Sequence, residues 1–548
     1  MKKITLIIIA VVYTLNTFSQ VLNWDWAKRA GGANNDKAYS IVTDQSGNVY
    51  VSGTFYSPSI TFGSYTLNNA GQTTTDDLFF VKYSPNGTVI WAKRAGGIGN
   101  EEAVSLAADN FGYIYMAGFS SSPSVTFGSN TLTGGGSFLI KYDTSGTVMW
   151  ARSDTFNITT IAADRYGNVY AGGTFSVDSI IIGHNTLINA EINSPHEDIL
   201  FVKYNTNGSV IWARCAGGMD NDFLNSIATD KHGNIYLAGA FTNSITFGAT
   251  TYNTSGLGYR PFLAKYDTSG VVIWSKNTSG PSYAAPNSVA SDTSGNVYLA
   301  GFYSGGSIIF DTSTLTNSFP TQQDIFFIKY SQSGTIKWAK TIGGGGNPTA
   351  YSIATDINGN IFMSGTLGSS PSIFGSDTLN NNGIFVAKYD STGIALLGRG
   401  TSYAGNGTNS IAVASIDNIY LTGVFYNPTL SLFLDTLTNA SPFTADIFVA
   451  KLDTTIRTVN NAGIQKLTNN TDIIISPNPF TSQTTISFSE AQKNTTIKIM
   501  DMVGKEIKTV LFSGKSLILE KGEMQSGVYF VQITDEKKNV VNKKIIVN

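Results

Sequence analysis

Between residues 20 and 456 the chain alternates apolar and polar positions in short runs, each closed by a polar turn, and the arrangement recurs. Tyr39-Ser40-Ile41-Val42-Thr43 is one such run, closed by Asp44-Gln45-Ser46-Gly47-Asn48. An Asp binds its own turn backbone and Gly supplies positive φ, so the closure predicts a tight turn. A second run, Val49 to Phe55, follows. An Ile-Thr-Phe-Gly segment (Ile60 to Gly63) and Thr66-Leu67 then read as an extra excursion. The third run is Leu78 to Tyr83, and the turn Ser84-Pro85-Asn86-Gly87 leads into the fourth, Thr88 to Arg94. Period-two alternation between Gly turns predicts antiparallel strands, so each unit of about sixty residues predicts one four-stranded sheet.

Three residues keep the register. Trp marks the fourth run at Trp26, Trp91, Trp150, Trp212, Trp274 and Trp338, with Leu397 in the seventh place. Gly recurs in the second run at Gly53, Gly118, Gly173, Gly239, Gly301, Gly365 and Gly423. Lys recurs in the third at Lys82, Lys141, Lys203, Lys265, Lys329, Lys388 and Lys451. The seventh unit has no fourth run, whereas the chain starts with an orphan one, Asn23 to Arg29. The expected fold is therefore all-β: a seven-bladed β-propeller over residues 20–456, its N-terminal strand completing the last blade.

The phrases G-N-V-Y-V-S-G-T-F, F-V-K-Y, N-G and V-I-W-A-K resemble the bacterial SBBP β-propeller repeat across all seven units. That resemblance implies a fold and an extracytoplasmic site, but no single activity. After Leu452 the pattern stops. A polar linker is expected over 457–470 and a small Ig-like β-sandwich over 471–548, from seven short strand signals: Ile473 to Ile475, Thr484 to Phe488, Thr496 to Met500, Glu506 to Phe512, Ser516 to Leu519, Val528 to Ile533 and Val540 to Val547. This tail resembles the type A C-terminal sorting domain of the type IX secretion system of Bacteroidota. The matching residues include Pro477, Asn478 and Pro479, then Gly504 and Lys505, Gly527 and Tyr529, and Lys543 and Lys544. The resemblance implies the type IX secretion machinery as a partner and a secreted or cell-surface protein.

The N-terminus supports export. Lys2 and Lys3, the apolar run Ile4 to Leu15 and the small-residue site Thr17-Phe18-Ser19 read as a signal peptide over residues 1–19, cleaved before Gln20. That apolar run is too short to span a bilayer as a helix, and no transmembrane segment is expected elsewhere. Net charge is −2, which gives no long-range attraction to nucleic acid, and no nucleic-acid motif is present. Cys215 is the one cysteine, so no intrachain disulfide can form. It takes the Arg-like position of the phrase W-A-R-C-A-G-G and reads as a strand residue.

Candidate chemistry is sparse. The turn residues Asp44, Asp109, Asp164, Asp230, Asp292 and Asp356 each offer one carboxylate, too few for calcium, and read as hairpin turns. The recurrent Lys read as blade-packing residues rather than an anion-binding ring. His184, His196 and His232 lie in loops of different units without zinc spacing, and no metal or cofactor is expected. No nucleophile elbow, H-E-x-x-H helix or P-loop occurs. The acids Glu101, Glu102, Asp220 and Asp222 precede first strands and read as solvated loop residues. The loops Asn68 to Asp77, Ile188 to Asp198 and Thr316 to Asp324 differ most among units, which points to recognition. Tyr56, Tyr259, Tyr283 and Tyr403 are aromatic candidates for such a surface. A non-catalytic binding module for a glycan or protein is the expectation. An extracellular polysaccharide hydrolase or lyase, or a structural surface protein, are the alternatives.

Overall fold

The computed structural model describes residues 23–453 except 72–74, 255–257, 281–282, 318, 369–370, 376, 381, 402–406, 416–417 and 433–434, and residues 473–548 except 502–505, 523 and 537–539. The proposed signal peptide and linker lie outside the described residues. Two compact units result, one within Gln20–Ile456 and one within Arg457–Asn548. Among the described residues there is no helix long and apolar enough to cross a membrane.

The larger unit is a β-propeller. Its first sheet runs Asp36–Thr43, Val49–Phe55, Asp77–Tyr83, Val89–Ala95, each strand antiparallel to the next. The same up-and-down order recurs to give seven such sheets. The last combines Gly407–Ser415, Asn418–Phe425 and Asp446–Asp453 with Asn23–Ala30 as its fourth strand, Trp26 standing opposite Lys451. The first strand of each sheet packs against those of the sheets before and after it. Asp36–Thr43 packs against Gly407–Ser415, and the cycle closes. Each excursion is a two-stranded hairpin; in the first, Phe62 is buried on Phe79 at 5.0 Å between ring centroids.

Burial follows position in the sheet. Val49–Phe55 and Asp77–Tyr83 are buried at every residue, because neighbouring sheets cover both faces, whereas Val89–Ala95 alternates at the rim. The register residues make the joints between sheets. Six indoles lie against the turn glycine of the following sheet's outer hairpin, Trp26 on Gly87 and Trp338 on Gly393 at the two ends of the series. Only Gly fits there: Gly87 has φ +80° and a Cβ would meet the ring at 2.8 Å.

The recurrent lysines complete the same joints. Lys265 lies 3.6 Å from Asp230 of its own sheet's turn and 5.0 Å from the Tyr236 ring centroid. Its ammonium and the Trp274 indole N–H both donate to the Gln332 carbonyl of the next sheet. Lys203 with Trp212 share Thr268 in the same way, and Lys329 with Trp338 share Ser391. Burial lowers the pKa of these lysines, and the neighbouring Asp opposes that shift. The turn carboxylates are themselves engaged. Asp44 accepts from the Ser46 and Asn48 amides, the Asn48 side chain and the Tyr50 hydroxyl.

The smaller unit merges the seven expected strands into five. Gln483–Met500 is one long strand holding two expected segments, and Glu506–Glu520 holds two more. Register slips at Ser487/Gln492 and Gln492/Thr495 bend the pair through the polar stretch that reads as a loop in sequence. One half of the bent pair carries Ile473–Ser476 at its edge, and the other carries Gly527–Thr534 and Val540–Val547. Ile486 and Phe488 from one half share a core with Ile497, Val531 and Ile545 from the other.

Candidate functional site

Every first strand of the propeller contains a β-bulge. Register skips one residue between Ala38 and Ser40, and likewise in the other six sheets. The skipped residues are Tyr39, Val104, Thr159, Asn225, Asn287, Tyr351 and Asn409. A bulge re-aims its extra side chain, and here all seven line one cavity of about 660 Å³ where the first strands meet. The recurrent glycines make the bulge possible: at Gly53 a Cβ would stand 2.0 Å from the Lys37 carbonyl, and Gly239 and Gly365 are confined in the same way.

Four of the bulge side chains also brace the ring. Thr159 donates to the Leu224 carbonyl, Asn225 to Pro286 and Asn287 to Ala350, at 2.7–2.8 Å, and Asn409 to Ala38. Each bond joins one sheet to the next. The remaining lining includes Asn157, Thr174, Glu197 and Phe223. Hydrogen-bonding groups without charge therefore dominate the cavity wall, with the Tyr39 and Tyr351 rings among them. Burial, with the nearby Glu102 and Asp76, keeps the Tyr39 phenol protonated.

An aromatic row leads away from Phe223. Tyr259 lies 5.3 Å from Phe223 between ring centroids, Tyr283 lies 5.1 Å from Tyr259, and Phe302 lies 6.1 Å from Tyr283. Two of the four sequence candidates, Tyr259 and Tyr283, thus come together. Tyr56 stands apart from this row, and Tyr403 lies outside the described residues. The bulge residues were missed in sequence, although each stands five positions before the turn Asp (or Ala414 in the last unit). Alternation does not reveal a bulge; the confined glycine opposite was the available signal.

The variable loops are pinned at their start. Asn69 donates to the Phe55 and Thr75 carbonyls, and Asn189 and Asn439 hold their loops in the same manner. Beside them the expectation of solvated acids fails for two of the four. Glu101 and Asp222 are fully buried. Glu101 accepts from the Gly97 amide and Ser120 hydroxyl, and Asp222 from the Gly218 amide, so backbone dipoles replace water. Asp36 is held by Gly32 in the same place, where burial pushes it up to about 6. Each acid neighbours the first residue of a preceding third strand: Asp36 with Asp446, Glu101 with Asp77, Asp222 with Asp198. The A-G-G phrase has its reason here, since a Cβ on Gly31, Gly96 or Gly217 would stand 2.0 Å from a carboxylate oxygen of Asp446, Asp77 or Asp198. Burial raises the Cys215 thiol pKa, which disfavours the thiolate.

In the smaller unit the expected motif ties down the final strand. Asn478 donates to the Lys544 carbonyl and accepts from the Ile546 amide, at 2.9 and 2.7 Å, between Pro477 and Pro479. The Phe480 amide donates to the Ile546 carbonyl of that strand, and the Phe480 carbonyl accepts from the Asn548 amide. The Tyr529 hydroxyl donates to Gln525, two residues before Gly527, while Lys544 is exposed. Gly504 and Lys505 lie outside the described residues. Residues 474–548 match the family model of the secretion system C-terminal sorting domain, and residues 25–54 match that of a beta-propeller repeat. The tail is a secretion-system sorting domain. The sorting domain marks the chain for type IX export to the cell surface or the extracellular space.

At the level of whole chains the similarities are distant. An uncharacterized WD repeat-containing protein of Acanthamoeba polyphaga mimivirus is 23% identical over 428 residues, 64% of this chain and 31% of its own length. An endo-acting ulvan lyase of Formosa agariphila is 36% identical over 77 residues, 14% of this chain and 15% of its own. The chain thus spans less than a third of either curated relative. Among solved structures, a fungal alcohol oxidase in complex with copper aligns over 96% of this chain and 99% of its own, at TM-score 0.40 and 11% identity.

Proposed function

We propose that the exported propeller is a non-catalytic binding module, and that the cavity formed by its seven bulges takes an uncharged, hydroxyl-rich ligand of the glycan class. The carrying observation is the cavity wall: three bulge asparagines and a threonine, two tyrosines and one carboxylate, Glu197. Amide and hydroxyl groups suit neutral polyols, and tyrosine rings add flat apolar faces with a polar edge. The row Phe223, Tyr259, Tyr283 extends that chemistry beyond the cavity. Hydrolysis of a glycosidic bond generally requires two facing acids, and Glu197 is the single carboxylate among the described lining residues. This favours binding over the alternative of a polysaccharide hydrolase or lyase.

The purified chain should bind a neutral polysaccharide from an extracellular panel in calorimetry. Tyr351→Ala should weaken that affinity about fivefold, with the ring's contribution near 1 kcal/mol. Release of reducing ends or unsaturated sugars from the bound polymer would move the assignment to the enzyme, and absence of binding to every polymer would sink the glycan reading.

A further inference from the structure

Equivalent joints in the seven sheets serve as controls for one another. At two of them an arginine neutralises the buried acid of the third strand: Arg29 bonds Asp446 at 2.7 Å, and Arg94 bonds Asp77. In the third sheet that arginine position is Cys215, so Asp198 has no basic partner among the described residues. Its neighbour Asp222 is fully buried, and one of its carboxylate oxygens has no hydrogen-bond partner. Two more carboxylates, Glu191 and Asp220, add to the field at this joint.

Those two converge on one imidazole. The His196 Nδ1 lies 2.6 Å from Glu191 Oε2 and 3.7 Å from Asp220 Oδ1, with one donor atom from each residue within 4.8 Å of the others. Ligands about 2.1 Å from a tetrahedral metal stand ~3.4 Å apart, inside the range these three atoms already span. Two loops supply them. Glu191 and His196 come from the long connection in the third sheet, and Asp220 from the turn entering the fourth. The loops are already coupled, because the Asp220 amide donates to Glu191 and the Glu197 amide to Asn221. Asp220 holds a left-handed φ of +68° at this point.

We propose that Glu191, His196 and Asp220 bind a divalent transition metal of the zinc and manganese class. One imidazole with two carboxylates is the donor set such borderline cations take. The ion supplies the positive charge that Arg29 and Arg94 supply at two other joints. It pins the segments that carry Glu197 and Phe223 to the cavity, and it holds whether or not the cavity ligand is a glycan.

The test is calorimetric titration of the untagged, chelator-treated full chain with zinc chloride, repeated with manganese chloride. The expected result is saturable binding of about one equivalent, with three protein ligands. Affinity should fall at least tenfold in both His196→Ala and Glu191→Gln, and stay unchanged in His232→Ala. Circular dichroism checks each variant, and Asp220→Asn replaces any that fails to fold. Absence of saturable binding by either ion overturns the site, as does binding that the ligand substitutions leave intact.

Discussion

A residue required in every unit serves the joint between units, and its removal should cost stability rather than function. Lys82 is a clear instance. It lies 3.8 Å from Asp44 and donates to the Thr144 carbonyl of the next sheet. Lys82→Ala leaves Asp44 buried without that cation, which should destabilise the propeller by about 3 kcal/mol, read as a lower melting temperature. The buried acids make a second prediction. Burial raises the folded pKa of Asp36 and Asp198 to about 6 and that of Asp222 to about 9, above the ordinary aspartate value of 3.8. The folded chain therefore binds more protons than the unfolded one between pH 4 and 9, and stability falls as pH rises through that window. Asp222→Asn should flatten the decline above pH 6, at most about 1.4 kcal/mol per pH unit for a single group; a melting profile against pH reads it directly. Tyr39 and Tyr351 look like ordinary strand tyrosines in sequence, since a one-residue register skip leaves no trace in alternation. Glu101 and Asp222 were misplaced for another reason: the glycine amides that hold them lie four residues upstream, and nothing in their own run announces burial.

At the scale of elements, the repeats made nearly every strand of the propeller legible, because each unit restated the same turn and the same alternation. The tail had no such redundancy. Its bent strands cross polar residues that pattern alone reads as breaks, so five strands were counted as seven. The element of greatest consequence is Asn23–Ala30, whose pairing with Asp446–Asp453 supplies the last edge. Trp26 is buried there against Tyr83 and Tyr420, at 6.3 and 6.0 Å between ring centroids. Trp26→Ala should destabilise by about 3–5 kcal/mol, measured by denaturant unfolding. Deleting Asn23–Ala30 should expose a sheet edge and give oligomers in size-exclusion chromatography.

For the whole molecule, the sorting domain and the propeller divide the work. A chain truncated before residue 474 should keep its ring and lose its destination, accumulating inside the outer membrane while the full chain reaches the surface. Fractionation with a protease-accessibility assay distinguishes the two. The closing strand adds a constraint of timing. Trp26 is made long before Lys451 and finds its place beside it only after the intervening sheets have been made. A product cut short before Asp453 keeps an unmated first strand and also lacks the address at its far end. The strand that closes the ring precedes the address along the chain, so a copy long enough to carry the address also carries the partner of Asn23–Ala30.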